Sequence, residues 1–291
     1  MDNKYKGTLY MCISALGMAL MAACVKMTGS EISTFQKLFF RNVVTAGIVL
    51  FNVVKMGVSI KPRSARSFKI TMVRSIVGLI GAVCFFYAIS NLPLADSTML
   101  NKLSPFFVMI FACIFLKEKF HKIQVIPVLI VFLGALLVIK PTFNVEVVPA
   151  IIGFTSAIFA GGAYTLVRYL RTMEEPNTIV FWFAVVSFVA MFPLMIIKGF
   201  VVPSATQLLF LIGSGVFASV GQIALSYAYR YAPANEISIY QYLSIIFSAG
   251  IGIIFIGEIP DMYSLTGGAL ILVAALINYN ITNKINEKSP V

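Results

Sequence analysis

The chain is short of charge, and of acids above all. Only 11% of its 291 residues are Asp, Glu, Lys or Arg, against about 25% in an ordinary globular domain. Hydrophobic residues make up 59% of the chain and its mean hydropathy is +0.94. That leaves too little polar surface to cover a water-facing globule of this length, which excludes a soluble enzyme. Histidine is nearly missing as well. His121 stands alone in a basic loop, so a histidine-based metal site or catalytic triad cannot be assembled. Cys12, Cys24, Cys84 and Cys113 fall inside apolar runs without CxxC spacing, and read as packed thiols rather than disulfides or zinc ligands. The sequence has no acidic cluster of the kind a membrane-embedded transferase uses to hold magnesium and a diphosphate. A Walker-type phosphate loop is also missing, so the chain does not power itself with ATP. No cofactor is expected.

What the chain has in quantity is long apolar runs. A membrane-spanning helix needs roughly 20 mostly apolar residues. Ten such runs are present, at 7–27, 34–55, 69–90, 94–116, 122–140, 148–168, 177–197, 205–229, 234–256 and 262–282. In lipid every backbone polar group must be satisfied within the protein, so these runs are expected to be helices. The longest gap, residues 56–68, is too short to hold a soluble domain. Pro105, Pro193, Gly161-Gly162 and Gly267-Gly268 lie inside spans, where neighbouring helices can satisfy a freed backbone group. The fold class is therefore an all-α membrane protein with ten transmembrane helices.

The net charge of +11 would suggest nucleic acid in a soluble protein, but here it orients the chain. With the N-terminus inside, sixteen basic residues, Arg74 among them, fall on the cytoplasmic side. Lys26, Lys37, Lys140 and Lys198 fall opposite. Arg41 and Lys102 remain inside spans. The bias puts both termini in the cytoplasm of a multi-pass protein of the cell (plasma or inner) membrane. Met21-Ala22-Ala23-Cys24 faintly resembles a lipoprotein processing site, but the apolar run before it is long for a signal peptide. The first span is read as a retained helix.

An internal repeat organises the rest. A shift of 140 residues places Tyr87-Ala88 on Tyr227-Ala228, Pro93 on Pro233, Asp96 on Glu236, Leu103-Ser104 on Leu243-Ser244, and Glu118 on Glu258, without a gap. A shift of 142 places Ser14-Ala15 on Ser156-Ala157 and Lys26 on Arg168. Apolar runs match by chance, but Pro, an acid, Ser and Glu do not fall in register that way. The units are residues 1–143 and 144–291, each with five spans. An odd number of crossings turns the second copy upside down, giving two inverted five-helix repeats, the arrangement of many secondary transporters.

At these residues the chain resembles the EamA family of the drug/metabolite transporter superfamily, which has ten helices in two repeats. The resemblance covers nearly the whole length. It is carried by Phe39-Phe40-Arg41, by PLADSTMLNKLSPFFVMIFACIFLKEK from Pro93, and by PANEISIYQYLSIIFSAGIGIIFIGEIPD from Pro233 followed by LTGGALILVAAL. Glu118 and Glu258 look like the family's glutamate after the fourth and ninth spans. The resemblance implies a transporter, with substrates ranging over amino acids, nucleotide-like metabolites, vitamins, organic acids and drugs. Tyr240-Gln241-Tyr242-Leu243, with Glu258 and Pro260, is similar to the branch holding S-adenosylmethionine carriers and eukaryotic organic-anion relatives. Ser244 stands where those S-adenosylmethionine carriers look to have an acid, which weakens the case for that cationic substrate.

Lys102 is the most unusual residue. It lies about 4–5 Å from the centre of its span at 1.5 Å per residue. A charge there costs at least ~2.5–3.5 kcal/mol, so it should face a cavity or a partner. Two readings stand: capture of an anionic substrate group, or a buried pair with Asp96 or Glu236. Ser97, Asn101 and Ser104 cluster on one helical face, and the repeat sets Gln241, Tyr242 and Ser244 at equivalent positions. Tyr242, the counterpart of Lys102, is the preferred contact. Tyr240 is about 200° away on a helix and does not share one pocket with it.

Arg41 shares a stripe with Lys37 and Thr45, either along an anion path or as a packing anchor. Ser219, Gln222, Ser226 and Tyr229 form another polar stripe, and Tyr164 beside Gly161-Gly162 lines or closes the cavity. Polar residues also glue membrane helices together, so each has a structural alternative. Asp96 and Glu236 are candidates for proton coupling, or else they cap the fourth and ninth helices. The expected function is alternating-access secondary transport of a small polar metabolite, more anionic or zwitterionic than cationic. Organic acids, amino acids and nucleotide-like metabolites fit. A channel or a lipid scramblase with a continuous groove is the alternative. The expected partners are the small-molecule substrate and the lipid bilayer, with no nucleic acid, for a monomer or homodimer.

Overall fold

A computed structural model of the chain describes residues 3–57, 59–115, 122–140, 147–170, 173–232 and 237–288. Among them every regular element is helical. The helices are α1 (Asn3–Met27), α2 (Thr34–Met56), α3 (Ala65–Asn91), α4 (Leu94–Asn101), α5 (Ser104–Phe115), α6 (Val125–Ile139), α7 (Val148–Leu170), α8 (Pro176–Ile197), α9 (Ala205–Tyr231), α10 (Leu243–Ile251) and α11 (Met262–Lys288). Ten stretches are long and apolar enough to cross a membrane, with α4 and α5 sharing the fourth. An even number of crossings leaves both ends of the chain on one face. We call this the near face, and the opposite one the far face.

Burial runs against the pattern of a soluble protein. Phe51, Ile114, Leu129, Leu209 and Leu276 point outward, where lipid receives them, while alanines, glycines and serines fill the interior. With lipid as the solvent there is little hydrophobic drive to associate, so small residues that admit close backbone approach hold the bundle together. The interior hydroxyls of Thr71, Ser75 and Ser219 donate to carbonyls of their own helices, at 2.7–2.8 Å. They need no water.

The tightest pairings are α1 with α9, α3 with α7, α2 with α8, and α6 with α11. On α6 and α11 a Cβ built on Gly267 would stand 2.6 Å from the Gly134 carbonyl oxygen, so neither position admits a side chain. Gly81 and Gly221 lie 140 residues apart and do the same job in two interfaces. Gly81 admits Phe159 and the Ser156 carbonyl of α7; Gly221 admits Met18 of α1 and accepts a 2.8 Å bond from the Ser14 hydroxyl. Ser14 and Ser156 are themselves repeat partners. Each pairing thus maps onto itself or onto another when every span is replaced by its repeat counterpart.

The fourth span departs from the single helix expected over 94–116. It breaks at Lys102-Leu103, with Lys102 closing α4 at ψ 5° and α5 restarting at Ser104. Pro105 is the cause. It has no N–H for the carbonyl four residues back and its ring crowds that carbonyl. Pro193, by contrast, sits inside an unbroken α8. Gly161 of α7 lets the restart seat closely, since a Cβ there would lie 2.4 Å from Phe107 Cβ. The ninth span is also irregular at the matching height. Ser238–Tyr242 is a 3-10 turn, α10 follows, and a π-helical turn over Gly252–Ile256 closes the span. No proline accounts for this second break. The Ser244 hydroxyl donates to the Gln241 carbonyl at 2.9 Å, satisfying one backbone group that the irregular turn frees.

Candidate functional site

Arg41 of α2 and Arg74 of α3 meet in the bundle interior, each only 5% exposed. The Arg74 guanidinium carbon lies 4.3 Å from the centre of the Phe183 ring of α8. That of Arg41 lies 5.9 Å from the same ring and 5.6 Å from Phe86. Cation–π contacts of this kind are worth up to about 2 kcal/mol when desolvated, well below the cost of burying a charge unpaired. Nε of both arginines and Nη1 of Arg74 have no hydrogen-bond partner among the described residues. Neither takes part in an ion pair there. Tyr164 of α7 lies within electrostatic reach of both. Gly78 of α3 makes room for the shared ring, since a Cβ there would touch Phe183 at 3.2 Å.

Arg74 corrects the sequence reading, which counts it with the cations of the cytoplasmic ends and loops. It lies well inside α3, and its position within an apolar run was the signal available. Lys37 and Thr45, on the Arg41 stripe, face protein rather than a water-filled vestibule. Lys37 Nζ donates to Ser90 Oγ of α3 at 2.9 Å, and the Thr45 hydroxyl to the Gly215 carbonyl of α9.

Lys102 stands apart from the two arginines, at the break in the fourth span. It is half-buried, and no ion pair or hydrogen bond of its ammonium occurs among the described residues. A pair with Asp96 is overturned, because that carboxylate faces elsewhere; Glu236 lies outside the described residues. Asn101 donates to Ser156 Oγ at 3.1 Å and joins α4 to α7. Tyr242 is buried among Leu103, Phe106 and Ile271, whereas Tyr240 packs against the cluster of Met11, Ala228 and Ile237. Gln241 and Gln222 are partly buried and partnered, and Ser244 is buried at the start of α10. Ser219 opens onto a groove of about 400 Å³ between α1, α2 and α9, whose rim includes the exposed Ile13 and Val220. That groove faces lipid. The side chains of Ser226 and Tyr229 lie outside what is described.

The far face carries a second arrangement that the sequence did not disclose. Asp96 does not cap α4, whose first turn has no local side-chain cap. The cap comes from Glu258, 164 residues away, whose Oε2 accepts the Leu94 N–H at 2.7 Å. Lys26 Nζ pairs with Glu258 Oε1 at 2.9 Å and donates to the Leu92 carbonyl at 2.5 Å. Gly257, with φ 76°, is what turns the chain back after the π-helical turn. Asp96 instead bonds Ser264 of α11 at 2.9 Å and lies 3.5 Å from Lys140. Lys140 also pairs with Asp261 at 2.8 Å, from a left-handed backbone (φ 49°) that a non-glycine residue adopts at some cost. Asp261 lies outside the spans, and the Lys140 hydrogen bond above all holds its carboxyl down at about 2.

The chain matches the EamA-like transporter family twice, over residues 5–140 and 148–280. A protein of Pseudomonas aeruginosa (strain UCBPP-PA14) named "Pseudopaline exporter CntI" is 33% identical over 278 residues, covering 95% of this chain and 96% of its own. The "S-adenosylmethionine uptake transporter" of Rickettsia bellii is 24% identical over 268 residues, 90% of each chain. One solved crystal structure superposes with a TM-score of 0.71 at 15% identity, over 96% of this chain and 98% of its own, which shows the shared fold alone. The twofold family match, the ten spans and these relatives together identify the chain as a multi-pass membrane transporter that belongs to the EamA-like transporter family of the drug/metabolite transporter superfamily.

Proposed function

We propose that the chain is a secondary active carrier, not an enzyme, moving a small anionic or zwitterionic metabolite by alternating access. Its units are residues 1–143 and 144–291, related as inverted repeats, in the cell membrane with both termini cytoplasmic. The observation that carries this reading is a set of interior cations that no acid pairs with among the described residues. Arg41, Arg74 and Lys102 lie at membrane depth, and none of them forms an ion pair among the described residues. Charged side chains inside membranes mark substrate or ion pathways. Cations without acids attract anions.

The two broken spans support the mechanism. Discontinuous helices at equivalent positions of two repeats border the substrate path in many carriers. Lys102 sits at one break and Tyr242 at the other, with Asn101 and Gln241 beside them and Tyr240, Ser244 and Gln222 further off. In this reading Lys102 meets the substrate on its way through, and Tyr164 and Arg41 line the deeper part. Asp96, held between Ser264 and Lys140, serves as a strut between α4 and α11 rather than as the coupling proton's seat.

Uptake into proteoliposomes tests the proposal. A carrier gives saturable flux and counterflow of a labelled substrate against an unlabelled gradient. Linear, non-saturating flux would establish the channel or scramblase instead. Lys102→Ala is expected to lower transport of an anionic substrate, and normal affinity and rate in that variant would remove Lys102 from the path.

A further inference from the structure

The two arginines define more than a positive region. We propose that Arg41, Arg74 and the Phe183 ring between them form a binding site for a small dianion, a molecule with two carboxylates or a phosphate ester. This rests on the carrier reading and names the substrate class within it.

The distances to the one shared ring cap the separation of the two guanidinium carbons at about 10 Å, within the reach of one small metabolite. Both groups are nine-tenths buried or more, and three of their N–H-bearing nitrogens have no partner among the described residues. Among the described residues, the acids that pair with cations are engaged away from the two arginines: Glu258 with Lys26, Asp96 and Asp261 with Lys140, and Glu175 with Arg63. Glu174 accepts from the Arg63 N–H and the Ser67 hydroxyl. None of these reaches the pair.

A buried cation is tolerated when an opposite charge and hydrogen bonds compensate it. One monoanion would leave one guanidinium uncompensated. A dianion answers both, and the planar fork of each guanidinium matches a carboxylate or phosphate edge. Ser187 strengthens the case. It lies one helical turn from Phe183 on α8, so the two share a face. Its hydroxyl is fully buried and also has no partner among the described residues. Arginines serving only as packing anchors would spend their N–H groups on backbone carbonyls, which the Nε atoms here do not.

The test uses the purified full-length protein in detergent, with succinate, glycerol 3-phosphate and acetate as probes at matched ionic strength. Succinate or glycerol 3-phosphate is expected to raise the unfolding temperature and acetate to leave it unchanged, since a ligand of the folded state stabilises it. The arm that responds separates a dicarboxylate site from a phosphate site. Arg41→Gln and Arg74→Gln should each weaken dianion binding by at least about tenfold, the scale of one charged hydrogen bond. Arg74→Lys should recover part of it. Without ligand the glutamine variants should unfold no earlier than wild type, because each removes one of two mutually repelling cations. If neither dianion shifts wild type the proposal falls, and variants that then unfold earlier without ligand identify the pair as a structural clamp. Flux separates the two readings. Dianion binding without counterflow refutes the carrier but keeps the site. Counterflow of a substrate untouched by either glutamine variant keeps the carrier and refutes the site.

Discussion

Consider the replacement of Glu258, the residue that ties Lys26 of α1 to the start of α4. Its carboxylate accepts the Leu94 N–H at 2.7 Å and the Lys26 ammonium at 2.9 Å, with the two charged side chains 23% and 18% exposed. At an effective dielectric of about 20 the bare attraction at that distance is about 5–6 kcal/mol. Desolvation cancels most of it, leaving about 1.5–3 kcal/mol for a hydrogen bond to a charged group. Glu258→Gln keeps an acceptor for Leu94 but loses the ion pair, so it should cost about 1–2 kcal/mol. Glu258→Ala also uncaps α4 and should cost about 1 kcal/mol more. Lys26→Met strands the carboxylate and should resemble Glu258→Gln. The double variant Lys26→Met/Glu258→Gln should cost much less than the sum, with a coupling of about 1–2 kcal/mol. Denaturant unfolding in detergent gives the cycle. Hydrogen exchange of the Leu94 amide reads the same contact locally, and should quicken about tenfold in Glu258→Gln for each 1.4 kcal/mol lost. A coupling below about 0.5 kcal/mol with unchanged exchange would refute the energetic role of this pair.

The repeat extends this reasoning, because Lys26, Leu94 and Glu258 correspond to Arg168, Ala234 and Glu118. Glu118 and Ala234 lie outside the described residues, and the expected outcome is that Arg168→Met and Glu118→Gln show a coupling of their own in the same unfolding assay. Gly267→Val forces a side chain against the Gly134 carbonyl, 2.6 Å from where its Cβ would sit, and should destabilise by about 2–3 kcal/mol by overpacking. Gly250→Ala, with nothing within 4 Å, should be neutral or slightly stabilising in the same thermal scan. Asp261 has its carboxyl lowered to about 2, chiefly by Lys140. Its contribution is complete above its unfolded value of about 3.9 and is lost as pH falls towards 2. The stability gap between wild type and Asp261→Asn should therefore be constant above pH ~4 and close below it; a gap unchanged down to pH ~2 would show that Lys140 does not stabilise the ionised form.

The fold was legible where one helix could be read by itself. Apolar length placed ten spans close to their observed ends, because lipid thickness sets that length and nothing tertiary alters it. The depth of Lys102 followed from counting residues. Pro105 was visible, yet its effect was not, since Pro193 in an equally apolar run leaves its helix whole. Local rules misled at Asp96. An acid in a first turn reads as a cap, but at α4 the Leu94 N–H is bonded by a glutamate from the far end of the chain.

What the sequence determined alone is the number of crossings, the duplication behind them and the presence of Arg41 and Lys102 inside spans. Continuous apolarity and residue identity encode these directly. Which cations face each other was decided only in three dimensions. Periodicity gives the angle of a side chain on its own helix but not the helix it meets, so by sequence Arg74 counts with the cytoplasmic ends and loops. Only the packing of α2, α3 and α8 brought it to Arg41 across one phenylalanine ring.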